Sequence, residues 1–160
     1  MPYLIDGSNL IGHMPSLELS DPLSKRRLVW QLVLFQAIKG TKIILVFDGP
    51  VDFDLCGDRF RTKKFTILWP EVGESADSLI ERQIKKQTDL RHFYVVSSDR
   101  EVQKFALANR AKILNCEEFH KLLRRALKKY KESQDMNKKD TDLSPLEVDQ
   151  WLDIFGASDE

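Results

Sequence analysis

The chain has 160 residues, of which 42% are hydrophobic and 31% charged; this fits one globular domain and excludes collagen-like, disordered and disulfide-framework classes. Lysine plus arginine and aspartate plus glutamate both total 25, so the formal net charge is zero and gives no overall electrostatic footprint for a nucleic acid. The total conceals an asymmetry: residues 1–99 carry 13 basic and 13 acidic side chains, residues 100–131 carry 10 and 3, and residues 132–160 carry 2 and 9.

Met1 leads straight into Pro2-Tyr3-Leu4-Ile5 without a basic leader or a long apolar run, so no signal peptide or membrane span is expected and the cytoplasm is the expected location. Tyr3 to Ile5 reads as a buried strand. Leu23 to Lys39 brings Leu28, Leu32, Phe35 and Ile38 to one helical face and stops at Gly40. Ile43 to Phe47 and Phe65 to Trp69 are the next strands, followed by a helix from Ser75 to Lys86 with Leu79, Ile80 and Ile84 on its apolar face. Phe93 to Val96 is a strand, Val102, Phe105 and Ala106 mark a helix, Lys112 to Leu114 is a short strand, and Glu117 to Lys131 is an amphipathic helix. Alternating strands and helices predict an α/β domain with a mainly parallel sheet of about five strands and helices on both faces.

The expected organisation is a domain over 1–130, a polar linker over 131–143 and a C-terminal amphipathic helix over 144–156. That last helix has Ser144 as cap, Pro145 in its first turn and a stripe of Val148, Trp151, Leu152 and Phe155. Cys56 and Cys116 are far apart and form no Cys-x-x-Cys, so neither a zinc site nor a disulfide framework is expected.

In an open parallel sheet the chemistry lies outside the carboxyl ends of the strands. Asp6, Asp48 and Asp99 follow three of the strands, and Asp77, with Glu81 one turn later, opens the helix after a fourth. Each has a local explanation. Asp6-Gly7 and Asp48-Gly49-Pro50 are turn sequences, Asp77 suits a helix N-terminus, and Ser98-Asp99-Arg100-Glu101 reads as a capping box. Carboxylates converging on one edge repel one another unless a cation neutralises them, and hard oxygen ligands without histidine or cysteine select Mg²⁺ or Mn²⁺.

Four segments, Leu4-Ile5-Asp6-Gly7-Ser8-Asn9-Leu10-Ile11, Val46-Phe47-Asp48-Gly49-Pro50, Glu74-Ser75-Ala76-Asp77-Ser78-Leu79-Ile80-Glu81 and Val95-Val96-Ser97-Ser98-Asp99-Arg100-Glu101, stand in an order that resembles the NYN branch of PIN-like ribonucleases, particularly the bacterial YacP type. The resemblance spans roughly Pro2 to Leu127. It implies a three-layer, Rossmann-like PIN fold and a metal-dependent endoribonuclease in which Asp6, Asp77 and Asp99 hold the ion with Asp48 beside them. It also implies metal-assisted hydrolysis leaving a 5′-phosphate and a 3′-hydroxyl. Asn9, which either orders the first loop or touches substrate, is counted with Ser98 and Arg100 among the substrate contacts. Ser8 stands where the family commonly has tyrosine, and Ser97 where threonine is usual.

Arg59, Arg61, Lys63 and Lys64, interleaved with Phe60 and Phe65, are further expected substrate contacts through phosphate pairing and base stacking, the alternative being a solvated loop whose aromatics belong to the core. Lys25, Arg26 and Arg27 carry the same two readings, and Lys121, Arg124, Arg125, Lys128 and Lys129 form the polar side of the Glu117 helix. The leading functional expectation is an endoribonuclease of RNA processing or mRNA decay, ribosome association being implied by the resemblance alone. The alternative is a noncatalytic RNA- or ribosome-binding module whose aspartates serve turns and caps. An aspartyl-phosphate protein fits poorly, because Asp6-Gly7-Ser8 lacks a second aspartate two residues on.

If the acidic tail screens the basic block, deleting residues 132–160 tightens RNA binding at low salt in a filter-binding assay; unchanged affinity counts against the screening.

Overall fold

Five β-branched or apolar runs become the five strands of one sheet in the computed structural model, which describes residues 1–57 and 60–136. They are β1 (Tyr3–Asp6), β2 (Ile43–Val46), β3 (Phe65–Leu68), β4 (Tyr94–Val96) and β5 (Lys112–Leu114), each within one residue of the expected ends. All pair in parallel, in the order β3-β2-β1-β4-β5. The helices are α1 (Gly7–Gly12), α2 (Ser24–Lys39), α3 (Ala76–Lys86), α4 (Arg100–Ala108) and α5 (Cys116–Met136), with a 3-10 turn at Phe53–Leu55.

The pleat divides the strand side chains between two cores. Ile5, Ile43, Leu45 and Val96 face the layer of α1, α2 and α5, whereas Leu4, Ile44, Val46 and Val95 face α3 and α4. Burial on both faces explains why these strands read as continuous apolar runs rather than as alternation. On the first face Tyr3, Phe35 and Phe119 meet edge-on or tilted at ring separations of 5.5 to 5.8 Å, which joins β1, α2 and α5. The three-layer α/β arrangement expected from the sequence is therefore the one observed.

Two elements differ from expectation. Asp6-Gly7 is not a turn: Asp6 is the extended residue at which α1 begins, and the chain passes directly from the central strand into a helix. Helix α5 runs to Met136, well into the stretch expected to be linker from residue 131. Lys131 to Asp135 contain no proline or glycine to end a helix, so polarity there marks an exposed helical end. The rest of that linker, the helix expected over 144–156 and Arg59 lie outside the described residues.

Gly7 is required by proximity: a Cβ at this position would lie 2.7 Å from two atoms of the Phe47 ring, and the backbone φ is not positive. Gly7→Ala is expected to destabilise the protein by about 1–3 kcal/mol through overpacking, lowering the melting temperature by several degrees. An unchanged melt by circular dichroism would contradict the close approach.

Candidate active site at the carboxyl edge of the sheet

From β1 the chain builds outward through β2 and β3, then crosses to the other side of β1 for β4 and β5. The switch point lies between the carboxyl ends of β1 and β4, where a crevice is left open. Ile5 and Val96 are paired in register, so the next residues on the two strands, Asp6 and Ser97, are neighbours. The Ser97 hydroxyl donates to Asp6 Oδ2 at 3.0 Å and accepts from the Asp99 backbone N–H at 3.1 Å, tying two of the expected metal ligands to one buried oxygen. Gln103 Nε2 holds the Ser97 carbonyl at 2.8 Å from within α4. The serine at this position thus keeps the hydroxyl that the family threonine would supply.

Asp48 sits at the end of the β2 segment, and its Oδ1 accepts from the Ser8 hydroxyl at 2.6 Å while its N–H points back to the same oxygen at 3.3 Å. Ser8, the departure from the usual tyrosine, therefore orients Asp48. Asp77 lies in the first turn of α3, whose cap is Ser75 accepting from Ser78 N–H. Asp99 caps α4, its Oδ1 accepting from the N–H groups of Glu101 and Val102 at 2.8 and 3.4 Å. The cap expected at Ser98 thus falls one residue later.

Electrostatics show that these carboxylates share one region. Burial pushes Asp6 up to about 6, with the negative charges of Asp77 and Asp48 adding to the rise and hydrogen bonds from Ser97 and the Asn9 backbone opposing it. Asp77 is also raised, by desolvation first and then by Asp99, Glu81 and Asp48. Aspartates from four separate stretches of chain thus reach one sheet edge, where their charges add to the burial that raises Asp6 and Asp77.

Asn9 and Ser98 are engaged in scaffolding. Asn9 Oδ1 accepts from the Ser98 N–H at 2.8 Å and from Cys116 Sγ at 3.0 Å, and the Ser98 hydroxyl accepts from the Cys116 N–H at 2.9 Å. This clasp joins the ends of β1, β4 and β5. Burial pushes the Cys116 thiol up, which keeps it protonated as a donor. Of the two roles open to Asn9 in the sequence, the geometry supplies the ordering one. Arg100 is exposed at the start of α4, beside the carboxylates.

The basic and aromatic stretch is elsewhere. Phe60 and Phe65 are core residues, Phe60 packing edge-on against Trp30 at 5.3 Å, so the expected base stacking by these rings is corrected to core packing. Arg61, Lys63 and Lys64 are exposed before the first residue of β3, and the Lys64 carbonyl accepts from Ile43 N–H at the entry of β2. They stand at the opposite end of the strands from the aspartates and do not join the site. Local charge and aromaticity cannot reveal which end of a strand a residue flanks.

Lys25 does reach the edge. Lys25 Nζ donates to the Asp48 carbonyl at 3.0 Å and lies 5.4 Å from the centre of the Phe47 ring. Its neighbours are used structurally, Arg26 against Asp52 and Asp54 and Arg27 against Asp21. The sequence marked all three alike; only the fold separates them.

The family model of the YacP-like NYN domain matches residues 3–154. The chain belongs to this family. Among solved structures it is similar to Rae1 (YacP) from Bacillus subtilis, with a TM-score of 0.75 at 18% identity over 88% of this chain and 83% of that one. It is also similar to the W164L mutant of that protein, with a TM-score of 0.73 at 18% identity over 98% and 97% of the two chains. At this identity the likeness concerns the fold. No curated protein matches the chain significantly.

The donor chemistry of this NYN site fits a hard divalent cation: the four aspartates offer only oxygen donors, and such an ion would relieve the burial and like-charge repulsion that raise Asp6 and Asp77. As the side chains stand, no three acids among the described residues are gathered closely enough to hold one ion. No helix among the described residues is long and apolar enough to cross a membrane.

Because the folded-state pKa of Asp6 is raised, ionising it opposes folding. The associated stability is fully present below the ordinary carboxylate value of 3.8 and is lost as pH rises through about 6. Asp6→Asn removes that dependence, so in metal-free buffer the variant should exceed the parent in stability at neutral pH, by on the order of 3 kcal/mol, with the gap closing below about pH 4. Urea melts across this range check it; a constant gap would contradict the raised value.

Proposed function

We propose that this NYN domain is a metal-dependent endoribonuclease that hydrolyses phosphodiester bonds of single-stranded RNA in RNA processing or mRNA decay. The observation that carries the reading is the placement of Asp6, Asp48, Asp77 and Asp99 along the carboxyl edge of the sheet, where Asp6 and Asp77 feel the charge of neighbouring carboxylates. Membership of the YacP-like NYN family supports a nuclease fold. Unstructured RNA, including mRNA presented by a ribosome, is the substrate class, and the cytoplasm is the proposed setting.

Asp6, Asp77 and Asp99 would hold Mg²⁺ or Mn²⁺, with Asp48 beside them. Such an ion, when bound, lowers the pKa of a water and offsets charge at the phosphodiester. The chain's own contribution is orientation. Ser97 positions Asp6 and the backbone of Asp99, Ser8 aims Asp48, and the Asn9 clasp keeps the β1 and β4 ends together. Partial burial of Asp6 keeps water from screening it, so a cation there is favoured strongly over solvent.

A second reading, a noncatalytic RNA- or ribosome-binding module, draws on the spread of the acids, no three of which are grouped as the side chains stand. The two separate in one set of assays. Purified protein should cut unstructured RNA with Mg²⁺ or Mn²⁺ and stop on chelation, and Asp6→Asn or Asp99→Asn should reduce cutting below detection. Asparagine is itself a good helix cap, so Asp99→Asn leaves α4 intact. Retained cutting in both variants would remove the site assignment. Calorimetry that finds no metal binding, with RNA affinity unaltered in the aspartate variants, would favour the second reading.

A further inference from the structure

Residues 19–26 and 50–54 enclose an open cleft of about 530 Å³ beside Asp48, a volume ordinary for a small-molecule site. Three apolar side chains of its lining face solvent: Leu19, Val51 and Phe53 are 62%, 41% and 84% exposed. Phe53 is not on a loose loop. It opens the 3-10 turn Phe53–Leu55, capped by Asp52, whose Oδ1 accepts from the Asp54 N–H at 3.0 Å, and Arg26 bonds both Asp52 and Asp54. An aromatic ring presented to water on a turn braced in this way is a ready stacking platform.

The charges of the cleft are sorted. Its three acids are all engaged, Asp52 and Asp54 by Arg26 and Asp21 by Arg27 and the Leu23 N–H. Lys25 forms no ion pair with a carboxylate among the described residues; its ammonium holds only the Asp48 carbonyl and the Phe47 ring face. An ammonium with no carboxylate partner among the described residues therefore stands where the cleft meets the carboxylate edge, and an exposed ring stands on the cleft wall. That pairing matches one nucleotide of a single strand, with its phosphate toward Lys25 and its unstacked base on Phe53.

We propose that this cleft is a nucleotide subsite that receives one base of a single-stranded RNA next to the carboxylate edge, Phe53 stacking on the base and Lys25 pairing with its phosphate. The proposal rests on the nuclease reading for the identity of the ligand, but its test needs no cleavage. A short unstructured RNA containing a fluorescent adenine analogue is titrated with the full chain in chelator and followed by anisotropy and quenching. Phe53→Ala should weaken binding roughly 5- to 150-fold and abolish the quenching, Phe53→Trp should preserve both, and Phe53→Leu, apolar but without a π face, should not. Lys25→Ala should lower the dependence of log affinity on log salt by roughly 0.7. Phe53 is exposed, so its substitutions leave the core untouched.

RNA affinity unchanged in Phe53→Ala and Lys25→Ala overturns the proposal and assigns the exposed apolar rim to a protein contact. Failure of the parent protein to bind the RNA at low salt overturns it as well. Cleavage by the same proteins is scored separately. Cutting that depends on Asp6 but not on Phe53 or Lys25 overturns the subsite and leaves the nuclease reading standing, whereas loss of binding in Phe53→Ala with no cutting by any protein supports the subsite and removes the nuclease reading.

Discussion

The middle position of β1 governs the architecture of the site. Paired on one side with β2 and on the other with β4, this strand is enclosed by helices on both faces, and its last residue is a carboxylate that the packing leaves only 7% exposed. An ionised acid so placed is unfavourable unless something compensates. The compensation observed is partial: a hydroxyl from Ser97 and a backbone N–H from Asn9 oppose the rise, while Asp48 and Asp77 increase it. The rest of the carboxylate edge is arranged around that unresolved charge.

Small polar side chains do most of the arranging. Ser8 serves Asp48, Ser97 serves Asp6 and Asp99, and Ser98 with Asn9 fastens the start of α5 to the ends of β1 and β4. Apart from the two-residue bond between the Asp99 N–H and Ser97, these bonds join stretches distant in sequence. At Ser8 the short side chain places its hydroxyl directly on the neighbouring Asp48 carboxylate. Gly7 belongs to the same economy of space, because the helix that leaves β1 must pass against the Phe47 ring.

Zero net charge also acquires a spatial meaning. The acidic edge lies at the carboxyl ends of the strands, the exposed Arg61, Lys63 and Lys64 lie at the opposite end, and the basic side chains of α5 line its solvent-facing side. Of the basic residues read from sequence as a group at the first long helix, only Lys25 faces the site, while Arg26 and Arg27 brace the loops around it. Basic residues at the same density thus do three different things.

Strand positions, helix faces and the four aspartate motifs were legible in the sequence because they are local patterns: continuous apolar runs, apolar spacing at helical period, and carboxylates directly after strands. The helical start at Gly7 and the extension of α5 to Met136 were not, since turn residues also begin helices and a polar stretch without proline is compatible with helix or coil. Nor could sequence separate Phe60 and Phe65, which the core absorbs, from Phe53, which it leaves in water. By itself the sequence determined the order of elements and which residues could carry chemistry. Only the tertiary structure decided which of them meet, because strand order and the end of the strand a side chain flanks are set by packing between segments tens of residues apart, on which local periodicity carries no information.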